Sequence, residues 1–134
     1  MEIRTGRDYR ESLRDLKHRV FVFGEKVDDV TAHPSIIPHI NSAAITYEAA
    51  EQPEYADLMT AKSHLTGETI NRFTYIHQNP QDLVKKVKML WMLGQQTGTC
   101  FQRCVGFDGL NALYNVTYDT DKALGTGYHP RFVE

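Results

Sequence analysis

The stretch Thr99-Cys100-Phe101-Gln102-Arg103-Cys104 interrupts two long runs of helical periodicity and holds the only two cysteines, so it constrains fold and chemistry together. Before it, Asn79 is placed to cap a helix and Pro80 to occupy its first turn, where a missing N–H does no harm. Leu83, Val84, Val87, Leu90, Trp91 and Gly94 then fall on or near one face, with Lys85, Lys86 and Lys88 towards the other. After it, a helix is predicted from Gly106 or Asp108 to about Leu124. It would pack through Leu110, Leu113, Tyr114, Thr117 and Tyr118 and stop at Gly125-Thr126-Gly127. Gly98 suits the bend into Cys100. If residues 100–104 are helical, the cysteines share a face with Cβ atoms roughly 5–6 Å apart. Both thiolates then reach one metal centre, whereas a disulfide wants Cβ atoms about 3.5–4.5 Å apart and suitably directed.

The N-terminal half reads as shorter elements. Thr5 caps a predicted helix over Gly6 to Lys17, with Tyr9, Leu13 and Leu16 at helical spacing. Arg19 to Gly24 is β-branched and aromatic and reads as a strand, and Glu25 to Thr31 as a second short strand or a turn. His33-Pro34 breaks the chain. Pro38 opens a helix to about Glu51 whose apolar face is Ile40, Ala44, Tyr47 and Ala50. Between Ala56 and Thr74, Leu58-Met59-Thr60 and Thr69 to Phe73 read as strands flanking Gly67. The expectation is a mainly α chain with a few short strands, one domain over residues 1–134. The ending after Phe132-Val133-Glu134, without a closing feature, reads as the first part of something longer.

Charge and hydropathy remove several classes. The net charge of -2 gives no electrostatic reason to expect nucleic acid or an anionic membrane as partner. Apolar runs such as Val20-Phe21-Val22-Phe23 are far too short to span a bilayer. Met1 precedes charged residues without an apolar signal region, so the expected location is cytoplasmic, where two cysteines read as thiols or ligands before a bridge.

The chain resembles the N-terminal region of the 4-hydroxybutyryl-CoA dehydratase/vinylacetyl-CoA isomerase family along nearly its whole length. The similar segments include Arg19-Val20, Phe23 to Val27, His33-Pro34, Ile40-Asn41, Thr46-Tyr47-Glu48, Asp57 to Thr60 and Thr69 to Phe73. They continue with His77-Gln78, Lys85 to Met89 and Leu93-Gly94-Gln95. The strongest is Cys100-Phe101-Gln102-Arg103-Cys104-Val105-Gly106, which favours the dehydratases over the related flavin-dependent 4-hydroxyphenylacetate hydroxylases.

The resemblance implies a homotetrameric flavoprotein with FAD and one [4Fe–4S] cluster, converting 4-hydroxybutyryl-CoA to crotonyl-CoA. It implies an acyl-CoA dehydrogenase-like fold, with a helical N-terminal domain followed by middle and C-terminal domains that this chain lacks. Cys100 and Cys104 correspond to two cluster ligands, and Gln102 to a position near the active centre. A cluster normally takes about four protein ligands. The other two, most of the flavin site and at least one acidic catalytic residue lie in the missing region. The implied state is a fragment or split subunit, inactive until a separately encoded remainder completes it, or self-associated through apolar faces left exposed.

Blander readings stand beside these. Cys100 and Cys104 can be two buried thiols, or zinc ligands with two histidines, although none of the six histidines shows paired zinc spacing. His33 and His129 precede prolines and read as turn residues, and His77 as a cleft or surface residue. Tyr9, Tyr47, Tyr114 and Tyr118 read as core. The lysines read as a solvated face before a site for a CoA phosphate. Gly125-Thr126-Gly127 lacks the context of a phosphate loop. Alternative functions are a non-catalytic interaction or regulatory domain, and the N-terminal part of a flavin-dependent aromatic hydroxylase.

Overall fold

The computed structural model describes residues 5–134. These residues are mainly helical with four short strands. They divide into two compact units. One runs up to Ala56 and takes up Trp91–Phe101, and the other comprises Asp57–Leu90 and Gln102–Glu134.

The first unit begins with helix α1 (Gly6–Asp15), which ends earlier than the periodicity predicts and leaves Leu16 half exposed. Its start is fixed by a capping box. The Thr5 hydroxyl accepts the Asp8 N–H and the Asp8 carboxylate accepts the Thr5 N–H, both at 3.0 Å. Strands β1 (Val20–Val22) and β2 (Glu25–Val27) pair antiparallel, Val20 opposite Val27. Their turn is Phe23-Gly24, with φ of 52° and 85°, which is the geometry that matches strand twist in a two-residue hairpin. Helix α2 (Ile37–Glu51) has Pro38 in its first turn and packs on α1. The predicted stripe is too narrow for it. Ser42, Ala43, Thr46 and Ala49 are buried along with Ile40 and Ala44, so small residues let α2 lie inside rather than on the unit. The buried hydroxyls stay satisfied within the helix, Ser42 donating to Pro38 O and Thr46 to Ala43 O. Tyr9 stacks on Tyr47 at 5.6 Å, and Arg10 pairs with Glu48 at 2.6 Å.

The second unit is built around Arg72. The segment expected to carry a strand at Leu58 instead makes a helical turn, α3 (Ala56–Met59), before β3 (Thr60–Lys62) pairs with β4 (Thr69–Asn71). A 3-10 turn follows at Arg72–Thr74, where the sequence pattern predicts a strand continuing to Phe73. The reason is the Arg72 side chain, 3% exposed, which caps the carbonyls that the short helix leaves open. Its Nε donates to Leu58 O at 2.6 Å, and its Nη2 to Asp57 O at 3.0 Å and Thr60 O at 2.6 Å. Asp82 stands 3.9 Å away as counter-charge. Burial lowers the Arg72 pKa from its ordinary value, and Asp82 opposes that shift.

Asp82 also belongs to the start of α4 (Pro80–Thr97). Asn79 caps as expected, its side-chain oxygen accepting from Gln81 N–H at 2.9 Å, while Asp82 accepts in return from Asn79 N–H at 3.2 Å. The apolar face assigned to α4 needs correction. Leu83, Val84, Val87 and Trp91 are exposed, and Met89, Leu93 and Asp82 are the buried positions. Asp82 is buried where it accepts from the Gln78 and Asn79 N–H groups and faces Arg72. Helix α5 (Cys104–Leu124) starts earlier than predicted and ends at Gly125 with φ of 65°. A short helix that the sequence reading did not include, α6 (Tyr128–Val133), folds back on α5. Asp121 holds it by accepting from Tyr128 N–H and His129 N–H, and the His129 ring sits 4.7 Å from Tyr114 and 5.4 Å from Tyr118. His129 is therefore a packing residue rather than a turn residue, and Gly125 to Gly127 is a helix junction.

Replacing Arg72 by Leu would strip three carbonyls and Asp82 of their partner. The expected loss is about 3–5 kcal/mol, since the other half of a buried pair is left uncompensated. Denaturant unfolding of Arg72→Leu beside Arg72→Lys measures it, with Lys restoring only part because it cannot reach all three carbonyls.

Candidate functional site

The candidate site is the loop between α4 and α5 together with the first turn of α5. Gly98 ends α4 with φ of 61°, its N–H donating to Gly94 O at 3.0 Å, and the Thr97 hydroxyl donates to Thr99 O at 2.7 Å. Residues 99–103 are therefore not helical, and the premise of one helical turn carrying both cysteines is corrected. The glycine cap stops the helix, and Gln102 keeps the next one from starting before Cys104. Cys100 is exposed in the loop, while Cys104 is half-buried as the first residue of α5. Phe101 between them is buried at 7%.

Gln102 has φ of 64° and an exposed side chain. Left-handed backbone is uncommon for a residue with a Cβ and costs roughly 1–2 kcal/mol. The strain sits between the two cysteines, at the residue for which the resemblance implies a position near the active centre.

What holds the loop's C-terminal end lies in the second unit. The Arg103 guanidinium lies over the Phe73 ring at 4.6 Å, and Phe73 meets Phe107 edge-on at 5.8 Å. Phe107 is 1% exposed and sits on the first turn of α5. Phe73 follows Arg72 directly, so the buried guanidinium, the ring platform and the position of Cys104 are one connected arrangement. The sequence pattern gives Arg72, Asp82 and Arg103 no role, because a charged residue in a polar stretch reads as surface. For Arg72 and Arg103 the one cue is their position within segments that carry the resemblance, and Asp82 has none.

His77 lines the same aromatic platform, its ring 4.9 Å from Phe107 and its backbone N–H donating to the Asn111 side-chain oxygen at 2.8 Å. Its Nε2 is buried with no hydrogen-bond partner among the described residues. Burial, and then the charge of Lys86, hold its pKa below the ordinary histidine value. Lys86 pairs with Asp108 and lies 5.3 Å over the Phe107 ring, and Lys85 pairs with Asp57, so two of the three lysines already have carboxylate partners. In the first unit, a cleft of about 420 Å³ is lined by Tyr9, Leu13, Val20, Val27, Ile36 and Ile40. Arg14 and Asp29 also line it, and both hold Thr31.

No three His, Cys, Asp or Glu side chains converge on a point among the described residues. No helix of the described residues is long and apolar enough to cross a membrane.

Residues 5–134 match the family described as 4-hydroxyphenylacetate 3-hydroxylase N terminal. The chain belongs to this family. Among curated relatives it is 55% identical to the 4-hydroxybutyryl-CoA dehydratase/vinylacetyl-CoA-Δ-isomerase of Clostridium aminobutyricum, over 97% of this chain and 26% of that protein. The structure of a 4-hydroxybutyryl-CoA dehydratase from N. maritimus matches it with a TM-score of 0.90 and 48% identity, over 98% of this chain and 26% of the other. The oxygenase component of 4-hydroxyphenylacetate 3-monooxygenase, solved with FAD and 4-hydroxyphenylacetate, is a more distant member. It is 26% identical, with a TM-score of 0.60 over 70% of this chain. The mainly helical architecture is thus that of the corresponding region of the dehydratases, and the chain spans about a quarter of their length.

Two outcomes follow from this geometry. Gln102→Gly is expected to leave stability unchanged or raise it, while Gln102→Val loses about 1–2 kcal/mol, because a β-branched residue tolerates the left-handed region poorly. Urea unfolding of the two variants distinguishes them. For His77, the depressed folded pKa means that the unfolded chain binds more protons below about pH 6.5. The contribution is fully present above the unfolded pKa and is lost as pH falls from there through the folded value. Unfolding of the wild type between pH 7.5 and 5 should therefore weaken more steeply than that of His77→Gln.

Proposed function

We propose that this chain is the N-terminal domain of a flavin- and iron–sulfur-dependent 4-hydroxybutyryl-CoA dehydratase/vinylacetyl-CoA isomerase. The observation that carries the reading is the 55% identity to the Clostridium aminobutyricum enzyme over 97% of the chain. The cysteine motif supports the dehydratase over the hydroxylase branch. On this reading residues 1–134 are one domain of an acyl-CoA dehydrogenase-like fold, and the protein acts in the cytoplasm. Cys100 and Cys104 supply two of the cluster's ligands. Gln102 presents its side-chain amide, a donor and an acceptor, towards the substrate. FAD, the two remaining ligands and the acidic catalytic group are contributed by further polypeptide with its own domains. That polypeptide is either a separate chain or a continuation of this one.

The division of labour follows from geometry. A reaction at an unactivated carbon needs reacting groups held within fractions of an ångström and water kept out. Here Cys100 and Gln102 are exposed. The chain alone offers positioned donors without an enclosure.

The test is anaerobic reconstitution with iron, sulfide and FAD. The chain alone is expected to show no stoichiometric four-iron cluster and no conversion of 4-hydroxybutyryl-CoA. Together with the region of the Clostridium aminobutyricum enzyme outside the match, it should regain cluster absorbance, flavin absorbance and turnover. In that assembly Cys100→Ser or Cys104→Ser should abolish turnover. Turnover by the lone chain would overturn the reading.

A further inference from the structure

The cleft in the first unit shares no residue with the cysteine loop. Helix α1 stops at Asp15, the backbone turns extended at Leu16, and the chain then enters β1. The gap this leaves is bounded by the hairpin and by the entry of α2. It measures about 420 Å³, within the usual range of small-molecule sites. At about 30 Å³ for each water-sized group, that is space for a ligand of roughly ten to fourteen non-hydrogen atoms. The wall is apolar: Leu13 and Leu16 at the end of α1, Val20 and Val27 across the hairpin, Ile36 and Ile40 at α2. Val27 and Ile40 are buried, while Leu16 is 51% exposed.

Arg14, His18, Asp28 and Asp29 line the same cleft and are exposed, but they are not equally committed. Asp29 accepts the Thr31 N–H at 2.8 Å and the Thr31 hydroxyl at 2.6 Å. These bonds, more than the charge of Arg14, hold its pKa below the usual carboxylate value. Asp28 pairs with Lys26 at 3.1 Å. Arg14 uses only its Nε, which donates to the Thr31 hydroxyl at 3.2 Å. Its two Nη groups have no hydrogen-bond or ion-pair partner among the described residues. The uncommitted group is thus a guanidinium fork beside an apolar wall, the pairing geometry of a carboxylate. An ammonium head finds both carboxylates taken, and a doubly charged head meets the repulsion of Asp28 and Asp29.

We propose that this cleft binds a small amphipathic monocarboxylate, with its apolar body between α1, the hairpin and α2 and its carboxylate on the Arg14 guanidinium. This second site does not depend on the function proposed above, because none of Cys100, Gln102 and Cys104 lines it.

The test titrates the chain with octanoate, octanol and octylammonium, followed by calorimetry and by backbone amide NMR shifts at constant pH and salt. Octanoate is expected to saturate a single site about tenfold more tightly than octanol, with shifts confined to the elements between Tyr9 and Ile40. Arg14→Gln, at an exposed position, should weaken octanoate about tenfold, the size of one lost charge-assisted hydrogen bond, and leave octanol unchanged. Leu16→Glu should weaken both, with an unchanged circular dichroism spectrum. The control Arg7→Gln, on the same helix but outside the cleft, should weaken neither. Absence of saturable octanoate binding, or shifts centred on other elements, overturns the site. Octanol or octylammonium binding as tightly as octanoate, or octanoate affinity that survives Arg14→Gln, overturns the ligand class assigned to it.

Discussion

Arg72 brings a guanidinium into the interior of its unit, and the neighbouring elements are arranged to accept it. Three carbonyls converge on it from α3 and the start of β3, and Asp82 supplies the opposing charge from the first turn of α4. Asp82 is also committed elsewhere. Asp82 accepts from Gln78 N–H and Asn79 N–H, and the Tyr75 hydroxyl approaches it at 3.4 Å. A buried charge is tolerated only when its donors are met, so these elements cannot be adjusted one at a time.

The consequence reaches the candidate site through adjacent residues. Fixing Arg72 fixes Phe73. Phe73 supports Phe107 and carries the Arg103 guanidinium, and Arg103 and Phe107 bracket Cys104 on the first turn of α5. The strained Gln102 backbone persists because the residues after it are held by ring and cation contacts rather than by solvent-exposed loop structure. His77 packs on the same Phe107 ring, where desolvation keeps it neutral at a pH that would begin to charge an exposed imidazole.

Helices α4 and α5 show where periodicity misleads. On each, the apolar positions outnumber those that one face can bury. For α4 the stripe of Leu83, Val87 and Trp91 is the obvious packing face, and it is the exposed one. Asp82, Met89 and Leu93 are the buried positions instead, and a count of apolar residues does not place Asp82 among them, because its burial rests on N–H groups of the helix start and on Arg72. On α5 the expected positions Leu110, Tyr114 and Thr117 are the partly buried ones, but Leu113 and Tyr118 are exposed.

The sequence by itself determined what depends on neighbours along the chain. Thr5 and Asp8, Asn79 with Pro80, Pro38, Gly98 and Gly125 set helix ends through local hydrogen bonds and backbone preference, and those boundaries are found near where they are expected. The cysteine motif and the family are equally legible, because chemistry is carried by residue type and spacing. Tertiary structure alone decided which face of each long helix is buried, that Cys104 heads a helix while Cys100 lies in the loop before it, and that Arg72 is a core residue. Those outcomes hang on pairing a buried cation with carbonyls 12 to 15 residues away and with Asp82, a balance of desolvation against hydrogen bonding that no local pattern encodes.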